Sequence, residues 1–281
     1  DEHREDSCWD HAATFRRTSG KPVLLHVSGK GRDQARVAER LSRAASQGVR
    51  NALAVTGHRT QTHPAAKVLG RIPADERGYV DSVRTLCMLR GAERTPWYTG
   101  AAVNPFKYNP PDLLAQYFKA VRKLASGADF LVAQIGWDMA KLQELQWFLQ
   151  MRELNIPVLA RVALLRGEEV ASLPESLPPG VPMSLSLAAQ FQREFTVNET
   201  QSHVAQIKRI ALFAAGCRLL GYNGIQLAGV RDPGTLETIV RHSRQAFQDF
   251  DNFVTWRDAW LDHHAGVEFA PLPRPFYFFR N

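Results

Sequence analysis

Cysteine is scarce. The chain of 281 residues holds three, Cys8, Cys87 and Cys217. They lie far apart, are odd in number and form no CxxC pair, which argues against a disulfide framework, a zinc ribbon or a redox dithiol. No apolar run approaches the ~20 residues that span a bilayer, and no secretory leader pattern is present. These absences predict a cytoplasmic protein with reduced thiols, no membrane span and no metal site. The net charge of +7 is spread over single and paired arginines. There is no Lys/Arg block, no zinc-finger spacing and no RNA-binding aromatic signature, so nucleic acid is not an expected partner. A mildly basic enzyme that handles anionic small molecules fits this charge.

What is present is an alternation of strand and helix. Residues 21–28 form an apolar run of strand length closed by Gly29 and Gly31. Residues 33–47 carry Val37, Ala38, Leu41, Ala44 and Ala45 near helical spacing, and Gly48 ends the helix. Strands are predicted at 51–56, 98–103, 130–134, 157–164 and 224–227, and helices at 79–89, 112–126, 139–154, 184–195, 199–219 and 235–250. Residues 1–20 read as a loop leading into a helix, and 173–182 as a Pro-rich loop. Residues 1–281 are read as one β/α-barrel domain with a Pro/aromatic extension at about 251–281.

Short apolar strands separated by helices imply parallel strands with helical crossovers, and the fold class is α/β, a (β/α)8 TIM barrel. About six strands are counted, and an eight-stranded barrel needs all its strands to close. The expectation is therefore that N-terminal strands of the natural protein are missing from this chain. In such a barrel the site lies at the C-terminal strand ends. Those ends carry His26 and Ser28, Thr56-Gly57-His58-Arg59, Ala101 to Asn104, Gln134 to Asp138, Arg161, and Gln226 to Arg231, a polar ring with few acids. A satisfied half-buried histidine is the alternative for His26, and an ordinary loop histidine for His58. Gln134 stands out, because no helix end or cap explains an amide there. A carboxamide binds the edge of a heterocycle with a donor and an acceptor together.

At these residues the chain resembles the methylenetetrahydrofolate reductase family. Ala125 to Asp138, ASGADFLVAQIGWD, is similar to the family element whose Gln binds the pterin of folate. In the same order, Leu24 to Ser28 resembles the strand with a flavin-contacting His. Asn51 to His58 resembles the next strand, and Gly100 to Lys123 a strand and flavin-phosphate helix. Ala189-Gln190 resembles the segment over the folate, and Gly224 to Arg231 the last strand, whose loop Arg meets the folate tail. The resemblance implies FAD lined by His26, Ser28, Thr56, Gly57, Ala101, Arg122 and Lys123. It implies tetrahydrofolate as substrate, held by Gln134, Gln190 and Arg231.

The departures are specific. His58 stands where the family has an acid near the flavin, so it becomes the candidate catalytic residue with the charge there removed or reversed. Thr56 replaces the family's Arg, and residues 103–107 replace its Tyr and His. Three readings follow. The first is flavin-linked interconversion of 5,10-methylenetetrahydrofolate and 5-methyltetrahydrofolate. The second is a flavin-free folate-binding protein or subunit acting in methyl transfer. The third is an unrelated barrel enzyme for another anionic ligand. Trp256, Trp260 and Phe276 to Phe279 offer apolar surface for a homo-oligomer or partner-subunit contact, with intramolecular packing as the alternative.

Overall fold

The computed structural model describes residues 2–29, 34–56, 80–91, 96–178 and 180–264. Its elements run α1 (Glu2–Ser19), β1 (Leu24–Ser28), α2 (Gln34–Ser46), β2 (Asn51–Val55), α3 (Ser82–Arg90), β3 (Tyr98–Val103), α4 (Pro110–Ala125), β4 (Phe130–Ile135) and α5 (Met139–Met151). They continue with β5 (Val158–Ala163), α6 (Gly167–Ala171), α7 (Leu185–Val197), α8 (Glu199–Leu219), β6 (Gly224–Ala228), α9 (Pro233–Asp249) and α10 (Phe253–His263). The strands form a six-stranded sheet in the order β1-β2-β3-β4-β5-β6. An order that follows the sequence without reversal is that of a β/α barrel and not of a doubly wound sheet. Among the described residues no helix is long and apolar enough to cross a membrane. The chain divides into two compact units, residues 1–102 with 118–131, and residues 103–117 with 132–281.

In the first unit β1, β2 and β3 are parallel, with Leu25 beside Ala52, His26 beside Leu53, and Leu53 beside Gly100. Alternation along a strand sends neighbouring side chains to opposite faces. One face carries Leu25, Val27 and Ala52 into a cluster with Val37, Leu41, Ala44 and Ala45 of α2 and with Trp9, Ala12 and Ala13 of α1. Residues 2–19 are thus helical throughout, where a loop leading into a helix was expected. Its apolar stripe is short and built largely of alanine, so it carries little periodic signal. On the opposite face the ring of Phe130 stacks on Tyr98 with centroids 5.0 Å apart. Gly100 makes that approach possible, since a Cβ there would stand 2.3 Å from the ring. Asp129 ties β3 down by accepting from Thr99 N at 2.7 Å and pairing with Arg90.

In the second unit β5 and β6 are parallel, with Ala160 beside Ile225 and Arg161 beside Gln226. The long helix α8 is buried along most of its length. α10 was not anticipated; it is capped by Asn252, whose side chain accepts from Val254 N and Thr255 N. Its Trp256 and Trp260 are fully buried, and Trp256 Nε1 donates to Leu212 O at 2.8 Å. These two indoles therefore pack within the unit and are not the subunit surface considered for them. Phe276 to Phe279 lie outside the described residues.

Candidate functional site

In the first unit, His26 and Ser28 project from β1 on the face opposite the α1–α2 cluster, both half-buried. Across that face run His26, Leu53 and Gly100, in register. Ala101 aligns with Ala54 on the other face, and both are fully buried. Thr56, just past the end of β2, has its hydroxyl 3.0 Å from that of the buried Ser82 at the start of α3. Gly57 and His58 lie outside the described residues.

The two cations at the end of α4 have separate fates. Arg122 is exposed. Lys123 is buried, and its Nζ donates to Ala102 O at 2.6 Å. Burial, with Lys119 adding to it against the opposing pull of Asp81, brings its pKa down to about 8. One of the two expected phosphate ligands is therefore already engaged with a strand carbonyl.

In the second unit, Gln134 lies at the penultimate position of β4 and is half-buried. Its Oε1 accepts from Ile135 N at 3.0 Å. This bond holds the carboxamide at the strand exit and leaves Nε2 as a donor with no bond among the described residues. Immediately beyond, Gly136 N reaches Arg161 O at 3.4 Å, bringing the exits of β4 and β5 together. The ring of Phe106 sits 2.4 Å from where a Cβ of Gly136 would stand. Trp137 is buried edge-on against Phe191. Asp138 caps α5 by accepting from Ala140 N and Lys141 N, and it also accepts from Tyr108 OH at 3.0 Å. That carboxylate, after burial itself, raises the Tyr108 pKa.

Gln190 is half-buried on α7, with Nε2 donating to Glu194 Oε1 at 3.0 Å and reaching His263 O at 3.4 Å. Glu194 also pairs with the buried Arg209. Arg231, past the end of β6, is exposed; against the opposing effect of burial, the hydrogen bonds and charge of Arg166 lower the pKa of Glu169, and Arg231 adds to them last. Arg161, which carried no assigned role, stands beside Gln226. Its signal in the sequence is an arginine within an otherwise apolar strand.

The methylenetetrahydrofolate reductase family model matches residues 2–177. The chain belongs to the methylenetetrahydrofolate reductase family. The family match takes in β1 to β5, and with them His26, Lys123, Gln134 and Arg161, and it ends before Gln190, Gln226 and Arg231. No curated protein matches the chain by sequence. Among solved structures, 2,3-dimethylmalate lyase, a PEP mutase/isocitrate lyase superfamily member, is similar at 12% identity and a TM-score of 0.47, over 92% of this chain and 73% of that one. A putative lyase/mutase from Burkholderia cenocepacia J2315 is similar at 17% identity and a TM-score of 0.40, over 90% and 71%. An uncharacterized protein from Clostridium thermocellum that binds two copies of 5-methyl-5,6,7,8-tetrahydrofolic acid is similar at 8% identity and a TM-score of 0.43, over 85% and 99%. Likenesses this distant establish nothing about ligand or reaction.

The family implies a flavin, and the described residues fit one in part. His26 and Ser28 offer half-buried polar groups on one face of β1. Arg122 offers an exposed guanidinium, whereas Lys123 is held by Ala102 O and Ala101 is covered on the opposite face.

Proposed function

We propose that this protein binds a reduced folate and serves one-carbon metabolism, interconverting 5,10-methylenetetrahydrofolate and 5-methyltetrahydrofolate. The observation that carries the reading is Gln134, at the exit of β4 and inside the span matched by the family. Its Oε1 is fixed by Ile135 N. A carboxamide oriented in this way presents its N–H donors to the edge of a pterin. A flavin, when bound, would supply the hydride chemistry. In this reading His26 and Ser28 contact the flavin and Arg122 its phosphates, while His58 takes the position of the family's acid. Arg231 and Gln190 complete the folate contacts. Cys8, Cys87 and Cys217 form no disulfide, in keeping with a reducing cytoplasm.

A second reading, a flavin-free folate protein acting in methyl transfer, is favoured by one observation. The Lys123 ammonium already gives one of its hydrogen bonds to a backbone carbonyl, which leaves fewer donors for a flavin phosphate. The visible spectrum of the purified protein after incubation with FAD separates the two. A flavin band that survives gel filtration supports the first, and a colourless protein that binds 5-methyltetrahydrofolate supports the second. The Gln134→Ala variant is expected to bind folate roughly tenfold or more weakly, for the loss of oriented hydrogen bonds at a half-buried site. Unchanged affinity would remove Gln134 from the site.

A further inference from the structure

The second unit treats its arginines unequally. Arg209 is buried, with 4% of its side chain exposed, and it is fully compensated: Nη1 donates to Glu194 at 2.8 Å and Nε to His263 O at 2.7 Å. Arg161 has no such arrangement. It is half-buried, its Nε is wholly covered, and among the described residues it makes no side-chain hydrogen bond or ion pair. Burial lowers its pKa, and no charged neighbour contributes to the shift. A guanidinium withdrawn from water without a counter-charge is unfavourable, and it remains charged at all working pH values.

The sheet fixes where this group stands. Val158, Ala160 and Val162 are buried, while Leu159, Arg161 and Ala163 are half-buried, so β5 has a fully covered face and a half-covered one. On β6, Ile225 and Leu227 line a cleft with Cys217 of α8 and Ile239 of α9, which puts the helices on their side. Gln226 alternates to the other side and is the in-register partner of Arg161. In-register residues on parallel neighbours share a face, with the strands about 4.8 Å apart. Arg161 and Gln226 therefore leave neighbouring strands on one face, and a guanidinium there offers a planar fork that matches a two- or three-oxygen anion.

We propose that Arg161, on the face it shares with Gln226, forms a subsite for a carboxylate or phosphate group of a bound ligand. The subsite rests on the folate reading only for which molecule brings the anion: the tail carboxylate of folate, or a separate anionic ligand.

The test uses the full chain, with Arg161→Gln and Arg161→Lys, at low ionic strength. Calorimetry with inorganic phosphate, tetrahydrofolate and 6-methyltetrahydropterin, which lacks the tail, gives the affinities; thermal unfolding gives stability. Wild type is expected to bind phosphate, and Arg161→Gln to bind it at least about tenfold more weakly, the loss of a charge-assisted pair of hydrogen bonds. Arg161→Lys, which keeps the charge without the fork, should fall between. Without ligand, Arg161→Gln should melt no lower than wild type, because it removes an uncompensated charge. If the anion is the folate tail, Arg161→Gln weakens tetrahydrofolate by a similar factor and leaves the tail-less pterin unchanged. If the anion comes from a separate ligand, only phosphate binding falls. Phosphate and tetrahydrofolate affinities equal to wild type in Arg161→Gln would overturn the subsite while leaving the folate reading in place. Arg161-dependent phosphate binding in a protein that ignores folate would sink the folate reading and keep the subsite. A fall in melting temperature in both variants with unchanged affinities would assign Arg161 a structural role and overturn the proposal.

Discussion

Replacing Lys123 with Met should change how stability depends on pH, and the structure sets both sign and size. The folded-state pKa is pulled from 10.5 to about 8, chiefly by burial. Below pH 8 the lysine is protonated in the folded and the unfolded chain, and the cost of burying the ammonium is fully present. Between about 8 and 10.5 the unfolded chain still holds a proton that the folded chain has released. Stability therefore rises with pH across that window, by at most roughly 3 kcal/mol, since each pH unit between the two values is worth ~1.36 kcal/mol. Tyr117, Tyr222 and Cys217 have raised pKa values and act in the opposite sense at high pH. The informative quantity is therefore the difference between wild type and Lys123→Met, measured by urea unfolding from pH 7 to 10.5. The variant also loses the bond to Ala102 O, an offset that does not vary with pH once the wild-type lysine's own titration is counted. Wild type should gain on the variant by about 2–3 kcal/mol over the window. Parallel curves, within about 0.5 kcal/mol, would refute the buried ammonium. Repeating the series with FAD extends the argument to function. A flavin phosphate at Lys123 would keep the proton on and flatten the rise.

Three further perturbations address the framework that holds the candidate site. Asp129→Ala strips the partner from the buried Thr99 N–H and from Arg90, and should cost about 1–3 kcal/mol in urea unfolding, the penalty of an unmet buried donor; no measurable loss would mean water substitutes there. Glu194→Ala leaves Arg209 buried without its carboxylate and should cost about 3 kcal/mol or more. Adding Arg209→Met should recover part of that, and a double variant as unstable as the single would contradict the pairing argument. Gly216→Ala would set a methyl 2.3 Å from the Trp256 ring and 2.8 Å from Met139 Cε. It should destabilise by about 1–3 kcal/mol through overpacking, and an unchanged near-UV signal from the indoles would refute the close approach.

All six strands could be read from the sequence because each is a short apolar run bounded by turn residues, and the helical crossovers between them fixed their parallel sense. The order β1 to β6 then follows from the barrel reading. The elements that escaped share a physical cause. α1 buries Trp9 with two alanines, too small a stripe to stand out from a charged segment. α10 places Phe253, Trp256 and Trp260 at helical spacing behind an Asn252 cap. The prolines that follow at 271–275 drew the whole segment into a single non-helical extension. Asn252 followed by aromatics at i+1, i+4 and i+8 was the available signal.

The candidate site divides along the same line between local pattern and tertiary context. Gln134 was legible because a polar residue closing a buried strand has no local explanation. Its bond to Ile135 N was not, since that depends on the backbone path into Gly136. Arg122 and Lys123 looked equivalent as a basic pair, yet neighbours on a helix point about 100° apart, so only one can face the sheet. Lys123 does so and becomes a buried ammonium whose pKa is lowered by burial, while Arg122 faces solvent. Arg161 shows the limit most sharply. The alternation of buried Val158, Ala160 and Val162 with half-buried Leu159, Arg161 and Ala163 is visible in retrospect and marks a two-faced strand. What no pattern in the sequence reports is that the guanidinium meets no acid among the described residues. A half-buried charge is informative when no partner meets it among the described residues, and that emerges only once those neighbours are placed. For this reason the subsite emerges only from the packed sheet, and the response of Arg161 to added phosphate, more than its position in any motif, decides whether the missing partner is a ligand.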